Sequence, residues 1–214
     1  MSLIASPPVL LESGDRLSRQ EFHRRYCLLP EIMKAELVDG VVYVPSPARY
    51  TQHGRPQQIV VHWLAAHALR HPGLRYAFEA TVFLDANNEV QPDAFLFRDP
   101  PPLPGGARVR DDSYIEGAPQ LVVEVAASSA SYDLHDKLQA YERAGVVEYI
   151  VWRVYDRAID WFRLHEGSYR RVQPGEGGII ASQAFPGLRL NVARMLARDE
   201  AGVLTELEGP RSDS

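Results

Sequence analysis

The sequence predicts a mixed α/β fold of the α+β kind, in which a β-sheet is flanked by helices and extended by β-hairpins. The run 121–125 is apolar apart from one carboxylate, which is typical of a strand buried on both faces. Apolar residues at helical spacing follow at 133–144, and Gly145 then provides a common helix stop. Asp39-Gly40 lies between apolar segments at 33–38 and 41–44, which is a strong hairpin signal.

The remaining elements follow in chain order. Ser18 and Glu21 form a capping box that opens a short first helix. A longer helix is predicted over 53–71, and Asp133 is the predicted N-cap of the helix after the central strand. Further strands are predicted at 75–84, 91–97, 148–155, 158–164 and 169–172, and a last helix at 191–196.

Length and composition limit the class of protein. A chain of 214 residues with 45% hydrophobic residues fits one domain, predicted at 15–198, between a flexible N-terminal arm at 1–14 and a frayed C-terminal tail at 199–214. No run of about 18 apolar residues occurs, so no membrane span is predicted, and no signal peptide is recognised. The single cysteine, Cys27, excludes an internal disulfide and fits the reducing cytoplasm.

Charge and arginine patterning leave alternatives open. The net charge of −5 argues against broad, nonspecific coating of nucleic acid but is compatible with a local basic groove. The proline-rich stretch 98–110 is predicted to be an irregular surface loop, with contact between its arginines and a substrate backbone as the alternative. Arginines alternate with aromatic residues over 149–171, which favours a core or interface role over nucleic-acid contact. The apolar surface of this hairpin predicts a homodimer.

Glu124 is the residue of the central strand that needs an explanation, because a carboxylate is costly to bury unless it is paired or binds a cation. Asp93 follows Pro92 at the start of another apolar strand, and Lys137 lies at the edge of the apolar face of the next helix. A helix that packs back over the sheet brings the Lys137 ammonium toward Glu124. Two carboxylates suit one hard cation such as Mg²⁺, and a lysine beside it can orient or deprotonate a water. The alternative for Lys137 is a surface lysine whose stem covers the helix edge.

Glu36 and the histidines also have competing interpretations. Glu36, on the first hairpin strand, is either a solvated strand residue or an accessory metal ligand. Among the histidines of the long helix, only His67 and His71 have i, i+4 spacing, and no His-Glu-x-x-His motif occurs. A zinc site is therefore not favoured. His53, at the helix entry, is the histidine best placed to approach a phosphate.

These segments together resemble the Uma-type restriction endonuclease family of the PD-(D/E)XK nuclease-like superfamily. The resemblance extends over about 35–190, most of the chain, and rests on the order and spacing of short segments. The matching segments are Glu36-Leu-Val-Asp-Gly40, Ser46-Pro47, His53-Gly54, Gln91-Pro-Asp93, Tyr114-Ile-Glu-Gly-Ala-Pro119, Val123-Glu-Val125, Asp133 with Lys137, Gly145-Val146, Glu148-Tyr149 and Phe185-Pro-Gly-Leu188. The chain departs from many relatives at Ala127-Ser128 and Arg153-Val154, where those relatives have Ser-Pro and Asp-Pro.

The resemblance implies a restriction-endonuclease-like core, in which helices flank a mixed β-sheet. It implies Asp93 and Glu124 as metal ligands. It also implies that the signature lysine has moved, because the usual position two residues after Glu124 is alanine here and Lys137 lies on the next helix. Glu36 matches an acidic residue that some superfamily members add to the site.

Three functional hypotheses follow. The first is a DNA endonuclease in which Asp93, Glu124 and the Val125 carbonyl hold Mg²⁺, or Mn²⁺ as its substitute, while Lys137 positions the attacking water. In this hypothesis Glu36 completes or bridges a second metal position. The second hypothesis is a catalytically silent binding or regulatory module with the same fold. The third is a metal-dependent hydrolase of a substrate other than nucleic acid, which the net acidity favours.

Overall fold

The computed structural model describes residues 10–29 and 34–208. Residues 1–9 of the predicted arm, residue 33 of the first hairpin and residues 209–214 of the predicted tail lie outside this description. The helices are α1 Arg19–Tyr26, α2 Arg55–Ala68, α3 Ala130–Leu134, α4 Asp136–Ala144, α5 Val192–Leu196 and α6 Glu200–Thr205. The strands are β1 Glu36–Val38, β2 Val41–Tyr43, β3 Leu74–Ala77, β4 Val82–Phe83, β5 Glu89–Val90, β6 Ala94–Arg98, β7 Arg108–Val109, β8 Ile115–Glu116, β9 Leu121–Ala126, β10 Glu148–Arg153, β11 Ala158–His165, β12 Ser168–Val172, β13 Ile179–Ala181 and β14 Arg189–Asn191.

Two mixed sheets flanked by helices confirm the predicted fold class. The strand order is β12-β11-β10-β9-β6-β3 in one sheet and β2-β1-β5-β4-β8-β7 in the other, and β13 pairs with β14. The predicted central strand β9 pairs in parallel with β10 and antiparallel with β6. Helices α3 and α4 connect β9 to β10, because parallel neighbours need a crossover rather than a tight turn.

Strand β9 is buried along its whole length, which explains its nearly continuous apolar sequence. Val123 packs in the cluster that contains Trp63 of α2. Val122 packs in a second cluster, which contains Tyr141 of α4. Because side chains alternate along a strand, Glu124 points to the same side as Val122, toward α4.

The hairpin predicted over 75–97 is divided between the two sheets. Strand β3 pairs with β6 in one sheet, whereas β4 pairs with β5 in the other. The division falls at Pro92, which has no N–H to donate to a ladder, and the Pro92 carbonyl accepts from Glu79 N at 3.0 Å. Asp93 therefore lies where the chain passes from one sheet to the other.

The single helix predicted over 133–144 is instead two helices, with a break at His135 (φ −124°, ψ −77°). The prediction of Asp133 as the N-cap is wrong, because Asp133 is buried inside α3. The predicted end is confirmed, since Gly145 caps α4 with φ +86°. Helix α4 carries Lys137 and Tyr141 one turn apart, so both face the side of β9 that carries Glu124.

The N-terminal part of the chain follows its sequence signals closely. Ser18 Oγ accepts from Glu21 N at 3.3 Å, which confirms Ser18 as the N-cap of α1, whereas the Glu21 carboxylate accepts from Arg24 and Arg25 instead of completing the capping box. Helix α2 begins slightly later than predicted, because a π-helical turn at Tyr50–Gly54 precedes it. Pro56 lies in the first turn of α2, where its missing N–H leaves no helical bond unmade.

The proline-rich stretch was predicted to lack regular structure, and this is wrong over the two residues of β7. Two of its three arginines, Arg108 and Arg110, pair with carboxylates on the same surface. Arg108 Nη2 donates to Glu116 Oε2 at 2.6 Å, and Arg110 Nη2 donates to Asp112 Oδ2 at 2.8 Å. These pairs give the arginines a role in holding the edge of the sheet.

The aromatic hairpin β10–β11 is confirmed as an element, but its side chains contribute to the core. Tyr149, Trp152 and Trp161 are buried, and Tyr155 at the turn is 61% exposed. The expectation that this hairpin presents a large apolar surface is therefore wrong.

The predicted frayed tail is wrong for its first part. Helix α6 follows Asp199, whose side chain caps it through Gly202 N at 3.0 Å. Val203 is buried in the cluster around α2, and Arg55 Nη1 lies 2.7 Å from Glu200 Oε2.

None of the helices in the described residues is long and apolar enough to cross a membrane.

Candidate active site

The four predicted site side chains, those of Glu36, Asp93, Glu124 and Lys137, line one cleft of about 990 Å³. They come from β1, the crossing before β6, β9 and α4 respectively. All four are buried, with exposures of 3%, 4%, 3% and 4% in the same order. The alternatives of a solvated Glu36 and a surface Lys137 are therefore wrong.

Main-chain hydrogen bonds fix Asp93 and Glu124 relative to each other. Val125 N donates to Asp93 Oδ2 at 2.7 Å, and Asp93 N donates to Glu124 Oε2 at 3.3 Å. The main-chain pairing of β6 with β9 begins at Ala94. The two side-chain hydrogen bonds link the strands just beyond the end of this pairing. Each carboxylate is thus anchored by the neighbouring strand.

Lys137 links the carboxylates of two sheets. Its Nζ lies 2.9 Å from Glu124 Oε1 and 2.9 Å from Glu36 Oε2. Tyr141 Oη donates to the same Glu124 Oε1 at 2.9 Å. Glu36 Oε1 accepts from Gln91 N at 2.7 Å, so both of its oxygens have partners.

These contacts decide the charge state of Lys137. Burial alone would lower the pKa of Lys137, but the carboxylates of Glu124, Glu36 and Asp133 outweigh burial and raise it well above its ordinary value. Burial also raises the pKa of Glu124, to about 8, with Lys137 opposing the shift. Three donors point at the Glu124 carboxylate, which favours its charged form, so we describe the two groups as an ion pair. A protonated Lys137 donates hydrogen bonds and cannot act as a general base.

Asp133 and Lys34 also belong to the cluster, and neither was predicted to be a site residue. Asp133 is buried, its Oδ1 lies 3.9 Å from Lys137 Nζ, and Ser129 Oγ donates to its Oδ2 at 2.6 Å. Burial raises the pKa of Asp133 to about 6. Lys34 Nζ lies 3.7 Å from Asp93 Oδ1. Both had a sequence signal, because Asp133 is four residues before Lys137 on the helix that the sequence predicts and Lys34 is two residues before Glu36 on a predicted strand.

His53 occupies the space between two predicted metal ligands. Its Nε2 lies 3.3 Å from Asp93 Oδ1, and its Nδ1 donates to the Val125 carbonyl at 3.1 Å. The hydrogen bond to Asp93 raises the pKa of His53 above its ordinary value. The sequence placed His53 near a phosphate, whereas its contacts in the structure are with the Asp93–Val125 pair.

Among residues 10–29 and 34–208, no three His, Cys, Asp or Glu side chains are arranged as a ready-made metal site. Glu124 and Glu36 are instead engaged by Lys137, Tyr141 and main-chain donors. Asp93 Oδ1 faces the cleft with only cationic neighbours. The donor chemistry of carboxylates, a carbonyl and an imidazole nevertheless fits a divalent cation.

The two-sheet fold and the buried Asp–Glu–Lys cluster define a restriction-endonuclease-like protein. The chain belongs to the Uma2 family, described as "Putative restriction endonuclease", whose sequence profile matches residues 19–193. It is similar in fold to a solved protein from Anabaena variabilis described as "a putative nuclease belonging to DUF820", with a TM-score of 0.62 and 14% identity over 82% of this chain and 97% of that one. No curated protein matches the chain.

Proposed function

We propose that this protein is a metal-dependent endonuclease that hydrolyses phosphodiester bonds in DNA. The observation that carries the proposal is the convergence of Asp93, Glu124 and Lys137, from separate elements, in one cleft. The descriptions of the Uma2 family and of the Anabaena protein support it. Lys34 and Arg49 also line the cleft and offer positive charge to a phosphate backbone.

The buried residues divide the work. Asp93 and Glu124, with the Val125 carbonyl, are the groups that would hold a divalent cation, which when bound supplies an activated water and stabilises charge on the phosphate. Lys137 supplies fixed positive charge beside the scissile phosphate. Glu36 was predicted as an accessory ligand, but its contacts favour a different role, in which it anchors the Lys137 ammonium.

A plasmid assay tests the proposal. The parent protein is expected to nick supercoiled DNA with Mg²⁺ or Mn²⁺ and to stop when a chelator is added. Asp93→Asn keeps the side-chain volume but removes the charge at the cleft, so nicking should be abolished. Asp111→Asn is the matched control, because Asp111 is exposed and lies outside the cleft lining, and this variant should nick like the parent. Nicking that survives in Asp93→Asn or in chelator would reject the proposal. Parallel reactions on single-stranded DNA and RNA define the substrate.

The catalytically silent module remains the second candidate, and one observation favours it. Glu124 and Glu36 have their oxygens engaged by protein donors, so these carboxylates have hydrogen-bond partners without any ligand. A parent protein that binds DNA in a gel-shift assay but cleaves no tested nucleic acid with any divalent cation would support this candidate over the nuclease.

The homodimer remains a prediction. The exposed apolar surface on which it was based is absent, because the aromatic side chains of the β10–β11 hairpin are mostly buried. Edge strands β3 and β12 are the places where a second copy can extend the sheet that contains β9. Light scattering at high protein concentration is expected to give twice the chain mass. A monomer mass under these conditions contradicts the prediction.

A further inference from the structure

The position of the His53 ring is fixed at both nitrogens. His53 lies in the π-helical turn that precedes α2, and its ring reaches across to the end of β9. Nδ1 lies 3.1 Å from the Val125 carbonyl, and Nε2 lies 3.3 Å from Asp93 Oδ1. The side chain is 19% exposed, so its contacts are mostly with protein groups.

The Val125 contact determines which nitrogen carries a proton. A carbonyl oxygen can only accept, so Nδ1 must be the donor. In the neutral ring, the lone pair is then on Nε2, which faces Asp93. Metal-bound histidines show this same pattern, since the nitrogen that does not bind the metal commonly donates to a backbone carbonyl and thereby orients the ring.

The two oxygens of the Asp93 carboxylate have different partners. Oδ2 is held by Val125 N at 2.7 Å, while the neighbours of Oδ1 are His53 and Lys34, at 3.3 and 3.7 Å. Ligand atoms that bind one transition-metal ion at about 2.0–2.2 Å and about 90° to each other lie roughly 3 Å apart. The separation of Nε2 and Oδ1 is therefore close to that of two adjacent ligands, with little movement of either side chain.

We infer that His53 Nε2 and Asp93 Oδ1 are neighbouring ligands of the divalent cation, and that the site accordingly prefers Mn²⁺ to Mg²⁺. Imidazole suits transition metals, whereas Mg²⁺ is bound by oxygen ligands and water. The inference rests on the proposed function only in taking a divalent cation as the cofactor of this cleft. It changes the expected metal, because the family resemblance implied oxygen ligands and Mg²⁺. It also changes the ligand set, because the Val125 carbonyl then accepts from His53 Nδ1 and orients the ring instead of binding the cation.

Calorimetric titration of the full, metal-free chain tests the inference. The parent is expected to bind Mn²⁺ more tightly than Mg²⁺. His53→Gln should weaken Mn²⁺ binding by at least about 10-fold, since even partners of metal ligands contribute this much, and should change Mg²⁺ binding far less. His165→Gln is the control, because His165 is on an exposed strand end outside the cleft lining and should leave both affinities unchanged.

A spectroscopic measurement on the parent avoids any dependence on the folding of the variant. Electron spin echo spectroscopy of bound Mn²⁺ is expected to show coupling to an imidazole nitrogen, and His53→Gln should remove that coupling. The absence of nitrogen coupling in the parent, a preference for Mg²⁺, or unchanged Mn²⁺ affinity in folded His53→Gln would each overturn the inference.

The plasmid assay separates this inference from the proposed function. If the parent cleaves DNA and His53→Gln binds Mn²⁺ as tightly as the parent, His53 is not a ligand and the nuclease proposal stands. If the parent binds Mn²⁺ through nitrogen but cleaves no nucleic acid, the ligand assignment stands and the nuclease proposal falls.

Discussion

Lys137→Met is expected to lower the free energy of unfolding by about 3–5 kcal/mol, the usual cost of leaving buried charges without their partner. Lys137 Nζ lies 2.9 Å from both Glu124 Oε1 and Glu36 Oε2 and 3.9 Å from Asp133 Oδ1. Methionine fills a similar volume but removes the ammonium that these carboxylates share. Denaturant unfolding at neutral pH, with a chelator present, measures the loss.

The loss should depend on pH, which distinguishes lost charge from lost packing. Burial raises the pKa of Glu124, and Lys137 opposes this rise, so the pKa of Glu124 should be higher in Lys137→Met than in the parent. A carboxyl group whose pKa is higher in the folded state binds more protons when folded, so its contribution to stability is present at low pH and disappears as pH rises through the folded pKa. Without the ammonium, Lys137→Met should therefore be impaired more at pH 8 than at pH 5.

Lys34→Met is the matched control, since Lys34 is the only other lysine of the chain. Its side chain is 31% exposed and lies 3.7 Å from one carboxylate oxygen, so its removal should cost much less stability. Under conditions where Lys137→Met is folded, DNA cleavage should fall by roughly 10²–10³-fold, the range for removing one fixed donor that stabilises charge in the transition state. A Lys137→Met protein that unfolds like the parent at pH 8 would show that the ion pairs contribute nothing.

Most of the fold could be predicted because each element has a local signal. The apolar run of β9, the Asp39-Gly40 turn and the Ser18 cap each specify structure from a few neighbouring residues. The division of the second hairpin between two sheets could not be predicted, because a strand pair keeps the same alternation whichever sheet it joins. The break at His135 has no proline or glycine to mark it, and the contacts of α3 with β9 and β10 are not visible in the local sequence.

The site was predictable in its members more than in its contacts. A buried carboxylate on β9 requires a partner, and this requirement alone points to Lys137. The sequence does not show which oxygen each donor reaches. The sequence therefore does not predict that Glu36, Glu124 and Asp133 all surround the Lys137 ammonium. The same limit hid the position of His53 between Asp93 and Val125.

Glu124→Gln is expected to weaken divalent-cation binding and DNA cleavage together, while affecting stability less than Lys137→Met does. Glutamine keeps the shape of the side chain but removes the charge that attracts the cation. Its carbonyl oxygen can take the place of Oε1, which accepts from Lys137 and Tyr141, both at 2.9 Å. Its amide then faces Asp93 N, so the 3.3 Å bond is lost at a cost of about 1–3 kcal/mol. Part of this cost is offset, because the substitution reduces the repulsion among the carboxylates around Lys137. The Lys137 ammonium still has Glu36 as an ion-pair partner.

Tyr141→Phe is the control that separates the charge of Glu124 from its position. This variant removes only the hydroxyl that donates to Glu124 Oε1, so stability should fall by about 1 kcal/mol and metal affinity should change little. Calorimetry with Mn²⁺ and Mg²⁺ and plasmid nicking, on both variants and the parent, make the comparison. If Glu124→Gln binds the cation as tightly as Tyr141→Phe does, Glu124 is not a ligand. Its buried carboxylate would then serve to hold Lys137, and Asp93 would be the carboxylate that binds the metal.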